Sequence, residues 1–213
     1  MFFQTKVANI GIDSTGERTS HASNHYIKRM KRQSKRKDYL KHSISVDTDQ
    51  QAIIAVKDRR SDANDNVNFE SLVEGSHGVV SLKYVTTDKG YDSEEHHRFV
   101  REDIGGKSII PLRWEGTPAS RTKGEYRKNL RWYFPKKRYH RRSLVETVNF
   151  VEKTKLGDEL TSKKWWMRKK EQRLKDIAYN IYRYMQVKRD AAFATTTGFL
   201  HFLFVLWISS DNL

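Results

Sequence analysis

The chain has 213 residues, room for one domain with a sizeable core. It carries 41 Lys and Arg against 26 Asp and Glu, a formal charge of +15, yet 12% of its residues are aromatic and 37% hydrophobic, which describes a folded basic protein and excludes a polycationic tail. With no cysteine, a disulfide scaffold, a thiolate zinc centre, an iron–sulfur cluster and a Cys nucleophile are all excluded, and the eight histidines are the remaining nitrogen ligands.

The start, Met1-Phe2-Phe3-Gln4-Thr5-Lys6, lacks the charged, apolar and small-residue pattern of a secretory signal, so a cytoplasmic protein is expected. Val7 to Ile12 reads as a short strand that stops at the turn cluster Asp13-Ser14-Thr15-Gly16. Residues 17–38 are polar and basic without a clear period and read as a loop or arm. Tyr39 to Val46 and Ala52 to Val56, separated by a turn-rich segment, read as a hairpin. Asn64 to Glu74 suits a short helix closed by Gly75. Val79 to Val85 is the next strand, followed by a turn through Asp88. Ser93 caps a helix with acid in its first turn, ended by Gly105-Gly106, and its His96 and His97 read as surface residues. Ser108 to Leu112 returns as a strand, and residues 114–135 read as a polar, basic connection. Two helices follow, Arg142 to about Lys155 and Lys163 to about Val187, the second with Leu174, Ile177, Ala178, Ile181, Tyr184 and Met185 on one stripe. The sum is an α/β protein, a mixed sheet layered with helices. Residues 1–190 form the domain, and 191–213, with the apolar run Phe199 to Ile208, form a C-terminal tail too short to cross a membrane that needs about 20 apolar residues.

Residues 121–190 hold 22 Lys and Arg against 8 Asp and Glu, so nearly all the excess charge lies in this block. It is laced with Trp132, Tyr133, Phe134, Tyr139, Trp165 and Trp166. Cations meet phosphates and rings stack on unpaired bases, so the block suits a nucleic acid. A solvated helical surface with its aromatics in the core is the ordinary alternative.

Three acids fall where strands and helices could bring them together. Asp13 ends the first strand, Asp88 follows the fourth, and Glu146 lies one turn inside a helix. Open α/β sheets place sites at strand ends, and all-oxygen ligation selects a hard cation, Mg²⁺ or Mn²⁺. Spacing alone leaves two plain readings open: an Asp in a turn, and a Glu paired with a neighbouring cation. Asp13-Ser14-Thr15-Gly16 matches an aspartic-protease or sugar-kinase loop only faintly, and His21 with His25 reads as solvated rather than chelating.

The runs Ile10 to Gly16 and Thr87 to Ser93, with the spacing Tyr139-x-x-Arg142-x-x-x-Glu146-x-x-x-x-x-x-Lys153, resemble a DDE transposase of prokaryotic insertion sequences. The similarity extends from about residue 6 to about residue 187, including Arg36 to Lys41 and Tyr179 to Arg183. The resemblance implies an RNase H-like fold and metal-dependent DNA cleavage and strand transfer. It implies that Asp13, Asp88 and Glu146 are the catalytic, metal-binding triad for Mg²⁺ or Mn²⁺, and that Tyr139, Arg142 and Lys153 contact DNA. The implied partners are transposon-end and target DNA and other copies of the chain in an active homo-oligomer, with no membrane and no small-molecule substrate. Such enzymes carry a helical DNA-binding region before the first catalytic Asp, here only residue 13, and the apolar tail is foreign to the pattern; a truncated copy is expected. The alternative is a remnant that binds nucleic acid without catalysis.

Overall fold

The computed structural model of the chain describes residues 7–19, 39–60, 65–114, 116 and 118–210, with residues 65, 119 and 191–210 as backbone alone. The arm proposed at 17–38 lies, from residue 20 onward, outside the described residues, as do His21, His25 and Arg36-Lys37-Asp38.

Five strands form one sheet among the described residues: β1 (Val7–Arg18), β2 (Tyr39–Asp47), β3 (Ala52–Arg60), β4 (Ser81–Thr87) and β5 (Lys107–Ile109). Their order is β3-β2-β1-β4-β5. β1, β2 and β3 pair antiparallel, whereas β4 lies parallel to β1 and β5 parallel to β4. This is the RNase H-like mixed sheet, flanked by helices. The helices are α1 (Phe69–His77), α2 (Glu94–Arg98, extended by a wider turn through Asp103), α3 (Glu125–Trp132), α4 (Lys136–Tyr139), α5 (Ser143–Leu156) and α6 (Trp165–Ser210).

Alternation along β1 separates two cores. Ile10 and Ile12 point to one face, where they join Phe69, Leu72, Val73, Val85 and Val100 beneath α1 and α2. The intervening Gly11 and Asp13 belong to the other face, opposite Val46 and Ile44 of β2. That face carries the second core, Ile44, Val46, Ile53, Val145, Val148 and Tyr179, under α5 and α6.

Several elements differ from the sequence reading. β1 does not stop at Asp13-Ser14-Thr15-Gly16; it runs on to Arg18, because β2 offers a continuous antiparallel partner from Asp47 back to Tyr39. α1 passes through Gly75, whose missing side chain lets Ala55 of β3 come close, and ends two residues later. Residues 114–135 are not a plain connection, since they contain α3. Its first turn is held by Glu94 of α2, which accepts from the Tyr126 and Arg127 amides at 3.0 and 3.2 Å. His96 and His97 are buried rather than on the surface: His96 stacks on Phe69 at 4.2 Å, and His97 Nδ1 meets Ser108 Oγ at 2.7 Å.

The last helix continues to Ser210, and so runs through most of the tail proposed at 191–213. Its inward face is polar. Tyr179 donates to Gln51 O, Asn180 exchanges two bonds with Ile53, and Arg183 donates to Gln50 O, all at the β2–β3 turn. The apolar stripe read as its packing face points outward, with Leu174 66% and Met185 62% exposed. Among the described residues, no helix is long and apolar enough to cross a membrane.

Candidate active site

Strand register brings the first two acids together. The parallel pairing of β1 with β4 ends at Ile12 and Thr87, and the next residue on each chain is an aspartate, Asp13 and Asp88. β1 continues beyond this point on β2 alone, so Asp13 stands where β4 leaves the sheet. Asp88 turns the chain out of β4 by accepting from its neighbour's amide, Lys89 N to Oδ1 at 2.6 Å.

Glu146 reaches the same place from above. α5 lies close on β1 because Gly11 has no side chain; a methyl group there would collide with Val145 Cγ2. One residue after Val145 along the first turn of α5, Glu146 is half exposed while Asp13 is 25% exposed. Arg142, one turn earlier, lies between them: Nη2 is 2.6 Å from Glu146 Oε1 and Nη1 is 3.9 Å from Asp13 Oδ1. Tyr139 hydrogen-bonds the Arg142 side chain and feels the charge of both Asp88 and Glu146. Burial pushes the Asp13 carboxyl above its usual range, and the nearby Glu146 and Asp88 charges push the same way against the Ser14 amide and Arg142.

The structure therefore brings Asp13, Asp88, Glu146, Tyr139 and Arg142 into one electrostatic cluster. Lys153 sits two turns farther along the β1–α5 seam, donating to Thr15 Oγ1 at 2.6 Å and Gly16 O at 3.1 Å and pairing with Glu17 at 3.1 Å. The donors of the triad are all carboxylate oxygens, they repel one another, and a guanidinium already stands between two of them. In donor chemistry the residues suit a hard cation such as Mg²⁺ or Mn²⁺, although their oxygens are not gathered within 4.8 Å of one another.

A cleft of about 630 Å³ opens beside Asp88 and Tyr139, walled by Pro111, Leu112, Leu130 and Phe134 and edged by Arg131 and Lys136. Sequence reasoning missed it because α3, which forms one wall, spans only eight residues, Glu125–Trp132, and too few apolar positions to show a period. Its anchor is Asp92, buried and held by a two-pronged contact from Arg127, at 2.8 and 2.7 Å. Past the wall, Trp132 and Tyr133 are 71% and 85% exposed. A second cluster of ligand-type side chains, His42, Glu152 and Asp176, is buried between the sheet and α5 and α6.

A parallel–antiparallel sheet of this order, with carboxylates near where its central parallel strands end, is the arrangement of an RNase H-like domain. The family profile described as "Transposase DDE domain" matches residues 10–181, and the chain belongs to that family. No curated protein matches the chain. Among solved structures, the chain is similar to a piggyBac transposase seen by cryo-electron microscopy in a synaptic complex with hairpin DNA, with a TM-score of 0.57 and 11% identity. The likeness covers 87% of this chain and 48% of the other, so the chain spans about half the length of that relative, and at this identity it speaks to the fold alone.

Proposed function

We propose that the chain is the catalytic domain of an insertion-sequence transposase, performing metal-dependent cleavage and strand transfer on DNA in the cytoplasm, and working as a homo-oligomer. The observation that carries this reading is the meeting of Asp13 and Asp88, from adjacent parallel strand ends, with Glu146 from the helix laid over them. Asp13, Asp88 and Glu146 would hold Mg²⁺ or Mn²⁺, which supplies activation of the attacking oxygen and stabilisation of the leaving one in a phosphodiester displacement. Arg142 would exchange its carboxylate partners for a phosphate oxygen of the DNA, with Tyr139 holding the guanidinium in place. Lys153 marks the same seam farther along, where its ammonium can meet a neighbouring phosphate. Exposed Trp132 and Tyr133 and the cations of α3 and α4 extend the surface on which DNA, both transposon end and target, would lie.

The test is a gel assay of Mg²⁺-dependent cleavage and joining on transposon-end DNA, with binding measured in parallel. Asp88→Asn and Glu146→Gln should each lower cleavage by more than about a hundredfold, since even outer-shell changes at metal sites cost 10–100-fold. DNA affinity should stay within a few-fold. Undiminished cleavage by Asp88→Asn would overturn the catalytic reading. Wild-type chain that binds DNA but never cuts it would point instead to a non-catalytic remnant.

A further inference from the structure

We propose that His42, Glu152 and Asp176 form a second divalent-metal site, structural rather than catalytic, that takes Zn²⁺ or Mn²⁺ and fastens α5 and α6 to β2. The three come from separate elements, β2, α5 and α6, and their ligand atoms lie within 4.8 Å of one another. All are buried: His42 is 0% exposed, Glu152 4% and Asp176 5%.

The imidazole is arranged as metal-binding histidines are. Its Nδ1 hydrogen-bonds Asp58 Oδ1 at 2.7 Å, the outer carboxylate contact that fixes ring orientation and frees the other nitrogen as a ligand. That other nitrogen, Nε2, faces Asp176 Oδ1 at 3.0 Å. Nε2 makes no contact beyond this charged one, and Asp176 Oδ2 has no hydrogen-bond partner. Gln172, fully buried beside them, donates its amide to Glu152 at 2.6 Å and Asp176 at 3.3 Å, and its own Oε1 has no partner. Asp176 Oδ2, Gln172 Oε1 and, but for that charged contact, His42 Nε2 are buried without partners, which is costly unless something polar sits among them. The donor set of one imidazole and two carboxylates suits a borderline cation better than the all-oxygen triad does.

Charge points the same way. Asp58, Glu152 and Asp176 outnumber His42, and the other groups facing the cluster do not redress it: Glu17 is already paired with Lys153, and Arg173 reaches Asp58 only at 3.7 Å. Without a metal, a proton on the ring is what balances the Asp58 and Asp176 carboxylates that flank it. A cation would replace that proton and neutralise two carboxylates at once.

The experiment uses the full chain carrying Asp88→Asn, which weakens the proposed catalytic site, stripped with chelator and titrated with Co²⁺ as a spectroscopic stand-in for Zn²⁺. One equivalent should bind with visible absorption of a nitrogen–oxygen site, be displaced by Zn²⁺, and raise the melting temperature by several degrees. Glu152→Gln and Asp176→Asn keep shape and should each weaken binding at least tenfold. Since both could perturb the buried network, ¹⁵N NMR of His42 in the Asp88→Asn chain gives an independent readout: saturating Zn²⁺ should remove the Nε2 proton and leave Nδ1–H. Retention of both ring protons under Zn²⁺, or equal Co²⁺ affinity in Glu152→Gln, would overturn the proposal and leave His42 as an imidazolium bridging two aspartates. Because Asp88 is already changed, neither result bears on the catalytic triad.

Discussion

Arg142 lies between two carboxylates that a metal ion would also claim, and this makes its replacement informative. Arg142→Gln removes the cation while keeping a polar side chain. Asp13, already pushed up by burial and by its acidic neighbours, should then rise further, and Mg²⁺ should bind more tightly at neutral pH while DNA cleavage falls. Mg²⁺ titration by calorimetry together with the cleavage assay separates the two effects. A second single-residue prediction concerns His97, which burial, aided by Arg101, lowers from 6.5 to about 4. A histidine whose folded value is depressed binds its proton less well in the folded state, so the stability it preserves is complete above pH 6.5 and is lost as pH falls from about 6.5 toward 4. Denaturant unfolding across that range should show a loss on the order of 3 kcal/mol at most in the wild type. His97→Asn, which can still bond Ser108, should flatten the curve. An unchanged slope in the variant would place the titration elsewhere.

Among the elements, α5 depends most on one position beneath it. Gly11→Ala would force Val145 off β1, and with it the helix turn that carries Glu146. The change should destabilise the fold by about 1–3 kcal/mol, the usual penalty for overpacking, and should reduce cleavage more than Val145→Ala, which relieves rather than creates the clash. Leu144, Val145, Val148 and Val151 marked this helix in the sequence because they fall on one helical face. The hairpin of β2 and β3 was equally legible, being written in alternating apolar residues around a turn. Where reading by pattern failed, the cause was tertiary. Asp13-Ser14-Thr15-Gly16 has turn composition but is held straight by pairing with Ile44, Ser43, His42 and Lys41 of β2. The stripe from Leu174 to Met185 looks like a core face, yet Gln172, Tyr179, Asn180 and Arg183 win the inward side through hydrogen bonds that no periodicity reveals. His96 and His97 sit in an acidic helix start and are buried because Phe69 and Ser108 come to them from elsewhere in the chain.

Over the whole molecule, the concentration of positive charge between residues 121 and 190 sets how DNA binding should respond to salt. Affinity should fall linearly in logarithmic terms with salt concentration, with a slope near −0.9 for each phosphate neutralised. Arg131→Gln and Lys136→Gln, at the edge of the cleft beside Asp88, should each reduce that slope by about one and weaken all sequences alike. Filter-binding isotherms at several salt concentrations measure this directly, and an unchanged slope would remove those two residues from the interface. Deleting residues 156–190 is not an equivalent test, because Tyr179 is part of the second core and Asn180 and Arg183 hold the β2–β3 turn; loss of binding there would report unfolding. Trp132→Ala and Tyr133→Ala, both exposed, leave the core intact and should weaken single-stranded DNA by about 1–3 kcal/mol each if they stack on bases.

The parallel pairing of β1 with β4 has a consequence in time as well as in space. The hairpin β2–β3 closes a turn of a few residues, whereas Val7 must wait for Ser81, and the face of β1 that carries Asp13 is not covered until α5 has been made. Loop closure delays such long-range pairing, and a ribosome adds only about 5–20 residues each second. A nascent chain thus carries Asp13 for seconds as an ordinary acid on an unfinished strand. The cluster comes into being late, when Glu146 folds down over Gly11, and a chain released before that point has every aspartate of the site and none of its geometry.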